Sequence, residues 1–186
     1  MTPSRPLRAD AIRNRAKILA AARDQISAHG VEVGMDEIAA AAGVAVGTLY
    51  RHFPNKTELI AAVLGDFTDQ TAADAEAAGR RVSEGARAAD EIAGFLGRVL
   101  DAAAVNHAAK AAAKSLGAYV GAPDAEQRAE AAMTQLIRAG QTEGDIYPDV
   151  TVGDIYLLVN TAPTDQPPPV RARWLALALR SISIPR

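Results

Sequence analysis

The stretch Met35–Leu64 reads MDEIAAAAGVAVGTLYRHFPNKTELIAAVL and places two short helical patterns on either side of Gly43. The first pattern begins with Asp36 and Glu37, and acidic side chains stabilise the positive end of a helix. Gly43 can adopt the positive φ that a tight turn requires. A second short helix is predicted over residues 46–52. Two short helices joined in this way are typical of a helix-turn-helix.

The second of these helices is expected to bury one side and expose the other. Ile38, Val44 and Leu49 fall where they would pack against a first helix of about residues 10–29. No acidic residue occurs between Glu37 and Glu58, so the outward side lacks the acids that usually balance a solvated face. This outward side carries Ala45, Val46, Gly47, Thr48, Arg51 and His52, with Tyr50 at its edge.

The rest of the chain predicts an all-α fold of about nine helices. Asn55, with Glu58 three residues later, is typical of the capped start of a fourth helix. A fifth helix is predicted over 88–112 and a short element over 116–120. Pro123 and Thr151 mark the starts of two further helices, and the last helix follows the prolines at 167–169. The predicted organisation is a three-helix head over 1–56 and a larger helical body over 57–186.

Charge is distributed unevenly between these two parts. Residues 1–56 contain eight Lys/Arg and five Asp/Glu, whereas the whole chain has a net charge of -2. A basic head on an acidic body suggests an anionic partner for the head alone. The chain has no cysteine and no HExxH-like pair among its three histidines, so we expect no metal site and no cofactor. No secretory signal or membrane span is recognisable, and we expect a cytoplasmic protein.

The region from about Ala9 to Leu64 resembles the DNA-binding signature of the tetracycline-repressor (TetR-like) family of bacterial regulators. The similarity lies in Ile38-Ala39, Ala42-Gly43-Val44, Gly47-Thr48-Leu49-Tyr50, His52-Phe53 and Asn55-Lys56. The resemblance implies a homodimeric, ligand-responsive transcriptional regulator, most simply a repressor, that binds a palindromic double-stranded DNA operator.

The resemblance also implies a role for each outward residue. Thr48, Tyr50, His52 and Lys56 match positions that contact phosphates. Ala45, Val46, Gly47 and Arg51 match positions nearest to base edges. The family usually has a polar residue at 45 or 46, and this departure leaves Arg51 as the candidate for a bidentate guanine contact. Arg5 and Arg8 are candidates for contacts with a minor groove or a phosphate.

Two surfaces of the body are further candidates. Apolar rows between helices five, seven and eight suggest a pocket for a small, largely apolar effector, although a solid core would give the same pattern. The pocket candidates are Phe95, Leu96, Val99, Leu100, His107, Tyr119, Met133, Ile137 and Tyr156. The last helix is too apolar for an isolated surface element, which predicts a dimer interface made by the last two helices. The interface candidates are Ile155, Leu158, Val159, Trp174, Leu175, Ala178, Leu179 and Ile182.

Two other classes of function stay open from the sequence. The chain could be a helical protein-interaction module without DNA binding. It could also be a small helical enzyme that uses His107 as a base, although it has neither a Gly-rich phosphate loop nor a GxSxG motif.

Overall fold

The structure is a computed structural model that describes residues 5–117 and 122–185, with side chains from residue 9 onward. These residues form helices and one isolated bridge between Ile146 and Ser183, and the all-α prediction is confirmed. The nine helices are α1 (Arg5–His29), α2 (Met35–Ala42), α3 (Val46–His52), α4 (Lys56–Ser83), α5 (Ala88–Val105), α6 (His107–Ser115), α7 (Pro123–Glu143), α8 (Val152–Thr161) and α9 (Pro168–Ile182).

Capping side chains set two of the helix starts, as predicted. The Asn55 side-chain oxygen accepts a hydrogen bond from the Glu58 backbone N–H at 2.9 Å, at the start of α4. The Thr151 hydroxyl and the Asp154 carboxylate form a reciprocal capping box at α8, in which Thr151 N–H donates to Asp154 at 2.8 Å. Such caps satisfy N–H groups that have no partner inside the helix.

The predicted fifth helix is in fact two helices. α5 ends at Val105 and α6 begins at His107, with Asn106 between them at φ -89° and ψ 4°. Asparagine competes with the helical backbone through its own amide, which favours a break there. Of the short element predicted over 116–120, Leu116 caps the end of α6, and residues 118–121 lie outside the described residues.

The chain packs as two compact units, and each unit is built from two separate segments of the sequence. The first unit comprises Met1–Asp66 and Val105–Gly121, and the second comprises Phe67–Ala104 and Ala122–Arg186. α4 therefore contributes residues to both units. The boundary between the head and the body, which the sequence predicts between residues 56 and 57, divides the chain by function and stays a prediction.

The core of the first unit combines the second half of α1 with residues of α2, α3, α4 and α6. Ile18, Ala22 and Ile26 are completely buried, together with Ile38 of α2 and Leu49 of α3. Each fully buried isoleucine or leucine stabilises the fold by about 1.5–3 kcal/mol. Helical spacing in the sequence predicts one apolar face from Ile12 and Ala16 to Ile26, and this prediction is wrong at the start of α1, because Ile12 is 70% exposed and Ala16 is also exposed. The first turns of α1 precede the buried stretch that begins at Ile18.

The core of the second unit combines small and large apolar residues. Ala75 and Ala78 of α4 pack with Ile92 and Leu96 of α5 and with Leu136 of α7 in one buried cluster. Alanines at buried positions of α4 let the neighbouring helices approach closely. No helix among the described residues is both long and apolar enough to cross a membrane.

Candidate nucleic-acid interface and ligand cavity

The turn between α2 and α3 positions the candidate interface. Gly43 has φ +65°, which an L side chain rarely adopts, and its N–H donates to the Ala40 carbonyl at 3.1 Å. The next N–H, from Val44, donates to the Ala39 carbonyl at 3.1 Å. These two bonds end α2, and the chain then enters α3 through extended backbone at Ala45. The left-handed turn predicted at Gly43 is confirmed.

α3 has a buried side and an exposed side, as the sequence predicts. Leu49 is completely buried and Phe53, one turn later, is 4% exposed. Positions 47 and 51, which are four residues apart, lie on the side opposite to Leu49, and positions 46 and 50 lie between the two sides. The structure exposes Ala45, Val46, Gly47, Tyr50 and Arg51 and leaves Thr48 and His52 half-buried.

The exposed side of α3 is available for contacts with another molecule. Arg51 has no ion pair or hydrogen bond among the residues that the structure describes. The Val46 side chain is 42% exposed and the Tyr50 side chain 47%. This surface offers hydrogen-bond donors and methyl groups, and the sequence has no carboxylate between Glu37 and Glu58. Such a surface suits a DNA major groove, where phosphates are negatively charged and base edges present acceptors and thymine methyl groups.

Lys56 has a partner inside the fold, and its phosphate contact stays a prediction. Its ammonium group donates a hydrogen bond to the backbone carbonyl of Val31 and is half-buried. This bond ties the start of α4 to the segment between α1 and α2. Because an ammonium group has three N–H donors, Lys56 can contact a phosphate and keep its bond to Val31.

Phe53 is the point where α1 meets the end of α3. The Arg15 guanidinium lies 5.6 Å from the centre of the Phe53 ring, and the His52 ring lies 6.2 Å from it at a tilt of 40°. A cation that lies over the face of an aromatic ring is attracted to that ring. Sequence reasoning missed Arg15, because its spacing from Phe53 carries no local signal. Arg5 and Arg8 belong to α1, but their side chains lie outside the part that the structure describes.

A small cavity in the second unit contains part of the predicted effector pocket. Its volume is about 70 Å³, well below the roughly 300–1,000 Å³ that is usual for ligand pockets. Four predicted residues line it: Phe95, Val99, Met133 and Tyr156. Five residues that were not among the pocket candidates complete it: Thr71, Ala129, Val152, Ile155 and Val159, of which Ile155 and Val159 were predicted at the dimer interface instead.

The remaining pocket candidates lie elsewhere. Leu96, Leu100 and Ile137 are buried and do not line this cavity, and their part in an effector pocket stays a prediction. His107 starts α6 and belongs to the first unit. Tyr119 lies outside the described residues. Helical periodicity predicts the buried face correctly but cannot show which buried residues border a void.

The predicted dimer residues fall into two groups. Ile155, Ala178 and Ile182 are at least 93% buried within this one chain, so they cannot also form an outer contact surface. Leu158, Val159, Trp174, Leu175 and Leu179 are half-buried. The most exposed leucines of the two helices are instead Leu157, at 62%, and Leu177, at 49%. The sequence pattern shows that α8 and α9 are apolar but not which side faces the protein's own core.

No group of three or more metal-ligating side chains occurs among residues 5–117 and 122–185.

Comparison with known proteins identifies a family model for each of two segments of the chain. Residues 18–63 match the family model "Bacterial regulatory proteins, tetR family". Residues 87–182 match the model "Transcriptional regulator SbtR-like, C-terminal domain".

Three individual proteins show the extent of the similarity. The crystal structure of a TetR transcription regulatory protein from Mycobacterium vanbaalenii is 33% identical, covers 96% of this chain and 100% of that one, and has a TM-score of 0.78. The regulator SCO0520 from Streptomyces coelicolor is 27% identical, with 92% and 99% covered and a TM-score of 0.72. The HTH-type transcriptional regulator SAB2452 from Staphylococcus aureus (strain bovine RF122 / ET3-1) is 44% identical over 54 residues, which are 28% of this chain and 29% of that protein.

Proposed function

The chain belongs to the TetR family of bacterial transcriptional regulators, and from this premise we propose that it is a repressor that binds a palindromic operator as a homodimer and is released by a small, largely apolar effector. Members of this family are DNA-binding transcription factors and not enzymes, which removes the reading of His107 as a catalytic base. Since the bacterial chromosome lies in the cytoplasm, we place the protein there.

The exposed side of α3 is the observation that carries the DNA-binding proposal. We assign Ala45, Val46, Gly47 and Arg51 to base edges, with the Val46 methyl groups suited to a thymine methyl and Arg51 to guanine. We assign Thr48, Tyr50, His52 and Lys56 to phosphates, which position the protein without reading sequence. A two-fold dimer would meet two half-sites about one helical turn apart or a multiple of it.

Two substitutions test this division of roles. Arg51→Ala should weaken operator binding by about 1–3 kcal/mol and relax the preference at one base pair per half-site. Lys56→Ala should weaken binding to all sequences alike and reduce the salt dependence by about one unit of slope. Binding of operator variants over a salt series measures both effects.

Arg138→Ala, on the exposed side of α7, is the matched control and should leave binding unchanged. Thermal melting of Lys56→Ala separates a lost phosphate contact from the lost bond to Val31. Identical effects of Arg51→Ala and Lys56→Ala on sequence preference would contradict the assignment. Wild-type protein that binds no genomic fragment at all would favour the protein-interaction module.

The dimer proposal rests on apolar surface that α8 and α9 leave exposed. Leu157, Leu177 and Val170 are all more than 45% exposed, and exposed apolar patches on helices mark association surfaces. A groove of about 490 Å³ beside Leu157 is lined by apolar residues such as Leu158 and also by the acidic Asp149 and Asp154. A second copy of the chain would cover these residues, with the half-buried interface candidates around them.

The effector proposal rests on the 70 Å³ cavity, whose lining is almost entirely apolar. A ligand of ordinary size must enlarge it, and a cavity that opens on binding is a natural two-state element. Thr71, in the wall of this cavity, and Lys56, at the candidate interface, belong to the same helix, α4. We propose that α4 carries the change from the effector to the operator-binding residues.

A further inference from the structure

The cavity in the second unit has an apolar interior and a polar edge. Phe95, Val99 and Met133 supply the interior and are no more than 5% exposed. Tyr156 lines the same cavity but is 41% exposed, so its side chain lies where the cavity meets solvent. A ligand that fills this cavity and extends outwards would therefore pass along Tyr156.

Two exposed carboxylates lie on α7 one helical turn before residues that line the cavity, although neither belongs to the lining itself. Ala129 and Met133 line it, and Glu126 and Glu130 each precede one of these residues by three positions. Residues three and four apart are neighbours on a helix surface. Both glutamates are exposed, and neither forms an ion pair with any residue that the structure describes.

The ionisation of Tyr156 is consistent with this placement. Burial raises the pKa of the Tyr156 phenol, and the negative charges of Glu130 and Glu126 raise it further. The two carboxylates are thus close enough to act on the ring at the cavity edge. An aromatic face beside unpaired carboxylates attracts a cation both through the ring and through its charges.

We propose that the effector is a lipophilic monocation, whose apolar group occupies the cavity and whose protonated amine binds at Glu126 and Glu130 beside the ring of Tyr156. This inference rests on the proposed effector function and adds the charge of the ligand to it. The charged end stays at the rim, so the apolar interior never has to desolvate it.

The groove on the other side of the cavity is a poorer binding site for an anionic ligand. A neighbouring groove of about 190 Å³ shares Thr71 and Val99 with the cavity and contains Arg98. The Arg98 guanidinium is already paired with Asp74 at 2.8 Å, so an anionic ligand would have to displace a carboxylate. A cation at Glu126 and Glu130 displaces no ion-pair partner.

Three matched probes test the sign of the charge. 4-Phenylbutylamine and 4-phenylbutanol share a phenylbutyl group and differ in charge, and 4-phenylbutyrate, which is one methylene shorter, carries the opposite charge at neutral pH. Isothermal titration of the purified full-length protein at neutral pH should show the amine binding at least tenfold more tightly than the alcohol, and the butyrate most weakly.

Substitutions connect that preference to the named residues. The double variant Glu126→Gln/Glu130→Gln should bring the amine to within about twofold of the alcohol and leave alcohol binding unchanged. The control is Glu84→Gln, which changes an exposed acid directly after the end of α4 and should keep the full preference for the amine. Tyr156→Leu should weaken the amine severalfold, whereas Tyr156→Phe keeps the ring and should retain its binding.

Several outcomes would overturn the inference: equal binding of amine and alcohol, a preference that survives in the double variant, or no binding of any probe. A gel shift with operator DNA and the same probes separates this inference from the proposed function. If amine and alcohol release the operator equally, the effector role stands and the cation inference fails. If the free protein binds no DNA, the regulatory proposal fails, and the calorimetric preference still decides the charge of the ligand.

Discussion

Gly47 stands in the exposed side of α3 although nothing within the fold requires a glycine there. Its φ is not positive, and a Cβ built at this position meets no atom within 4 Å. A glycine inside a helix costs about 0.5–1 kcal/mol relative to alanine. Its presence is explained if the α3 backbone approaches the base edges at this point.

Gly47→Ala should therefore separate stability from DNA binding. We expect the free energy of unfolding to rise by about 0.5–1 kcal/mol, because the unfolded chain loses freedom and no clash arises. Operator affinity should fall, because the new methyl group would stand between α3 and the bases. Denaturant unfolding and operator titration measure the two effects. Unchanged affinity would place Gly47 away from the DNA.

At this scale the sequence predicted the exposed and buried positions of α3 well. Leu49 and Arg51 occupy the sides that helical spacing requires. Lys56 shows the limit, because its bond to the Val31 carbonyl joins residues 25 positions apart and depends on the tertiary fold. Whether Arg51 contacts a base stays a prediction.

At the scale of the helices, the dimer proposal can be tested by substitutions in α8 and α9. Charged residues at Leu175 and Leu179 would be ambiguous, because both side chains pack against the protein's own core. Leu157→Glu combined with Leu177→Glu changes exposed positions instead, and should convert the dimer to monomers that no longer bind operator. Light scattering and gel shift are the measurements.

The control for this pair is Leu116→Glu, an exposed leucine of the first unit, which should keep the dimer. Melting should show that the double variant stays folded, since exposed substitutions usually change stability by no more than about 0.5 kcal/mol. A double variant that remains dimeric would move the interface away from these residues.

Helix boundaries were predictable where capping residues mark them, as at Asn55 and Thr151. The break at Asn106 was not predicted, because alanines on both sides continue the helical pattern through it. The size of the cavity could not be predicted from the sequence either. Cavity volume depends on how Phe95 and Met133 pack against neighbouring helices, and spacing along one helix carries no information about that gap.

At the scale of the whole molecule, ion pairs give the protein a defined response to acid. The pKa of Glu91 is lowered chiefly by its hydrogen bond with Arg81, whose Nε donates at 2.9 Å. The pKa of Glu76 is lowered chiefly by Arg128, and that of Asp154 by Thr151. A carboxyl group with a lowered pKa in the folded state stabilises the fold above its unfolded pKa.

The melting temperature should therefore fall as the pH drops below about 5, since the unfolded pKa of glutamate is about 4.3 and protons bind the unfolded chain first. The loss is complete only when the pH passes the lower folded pKa values. Glu91→Gln should lower the melting temperature at pH 7 but reduce its dependence on pH between about 5 and 3. A Glu91→Gln profile parallel to that of the wild type would show that this pair contributes nothing.

The division of the chain has a practical consequence for the engineering of chimeric regulators. α6 belongs to the same compact unit as the helix-turn-helix, and Ala109, Ala112 and Ala113 lie in that unit's buried cluster. A graft that exchanges only the N-terminal segment would pair a new α1 with alanines selected to fit the old one. A transplant should therefore carry two pieces of sequence, the segment up to Asp66 and the segment around α6, for the donor's DNA-reading part to keep its own packing.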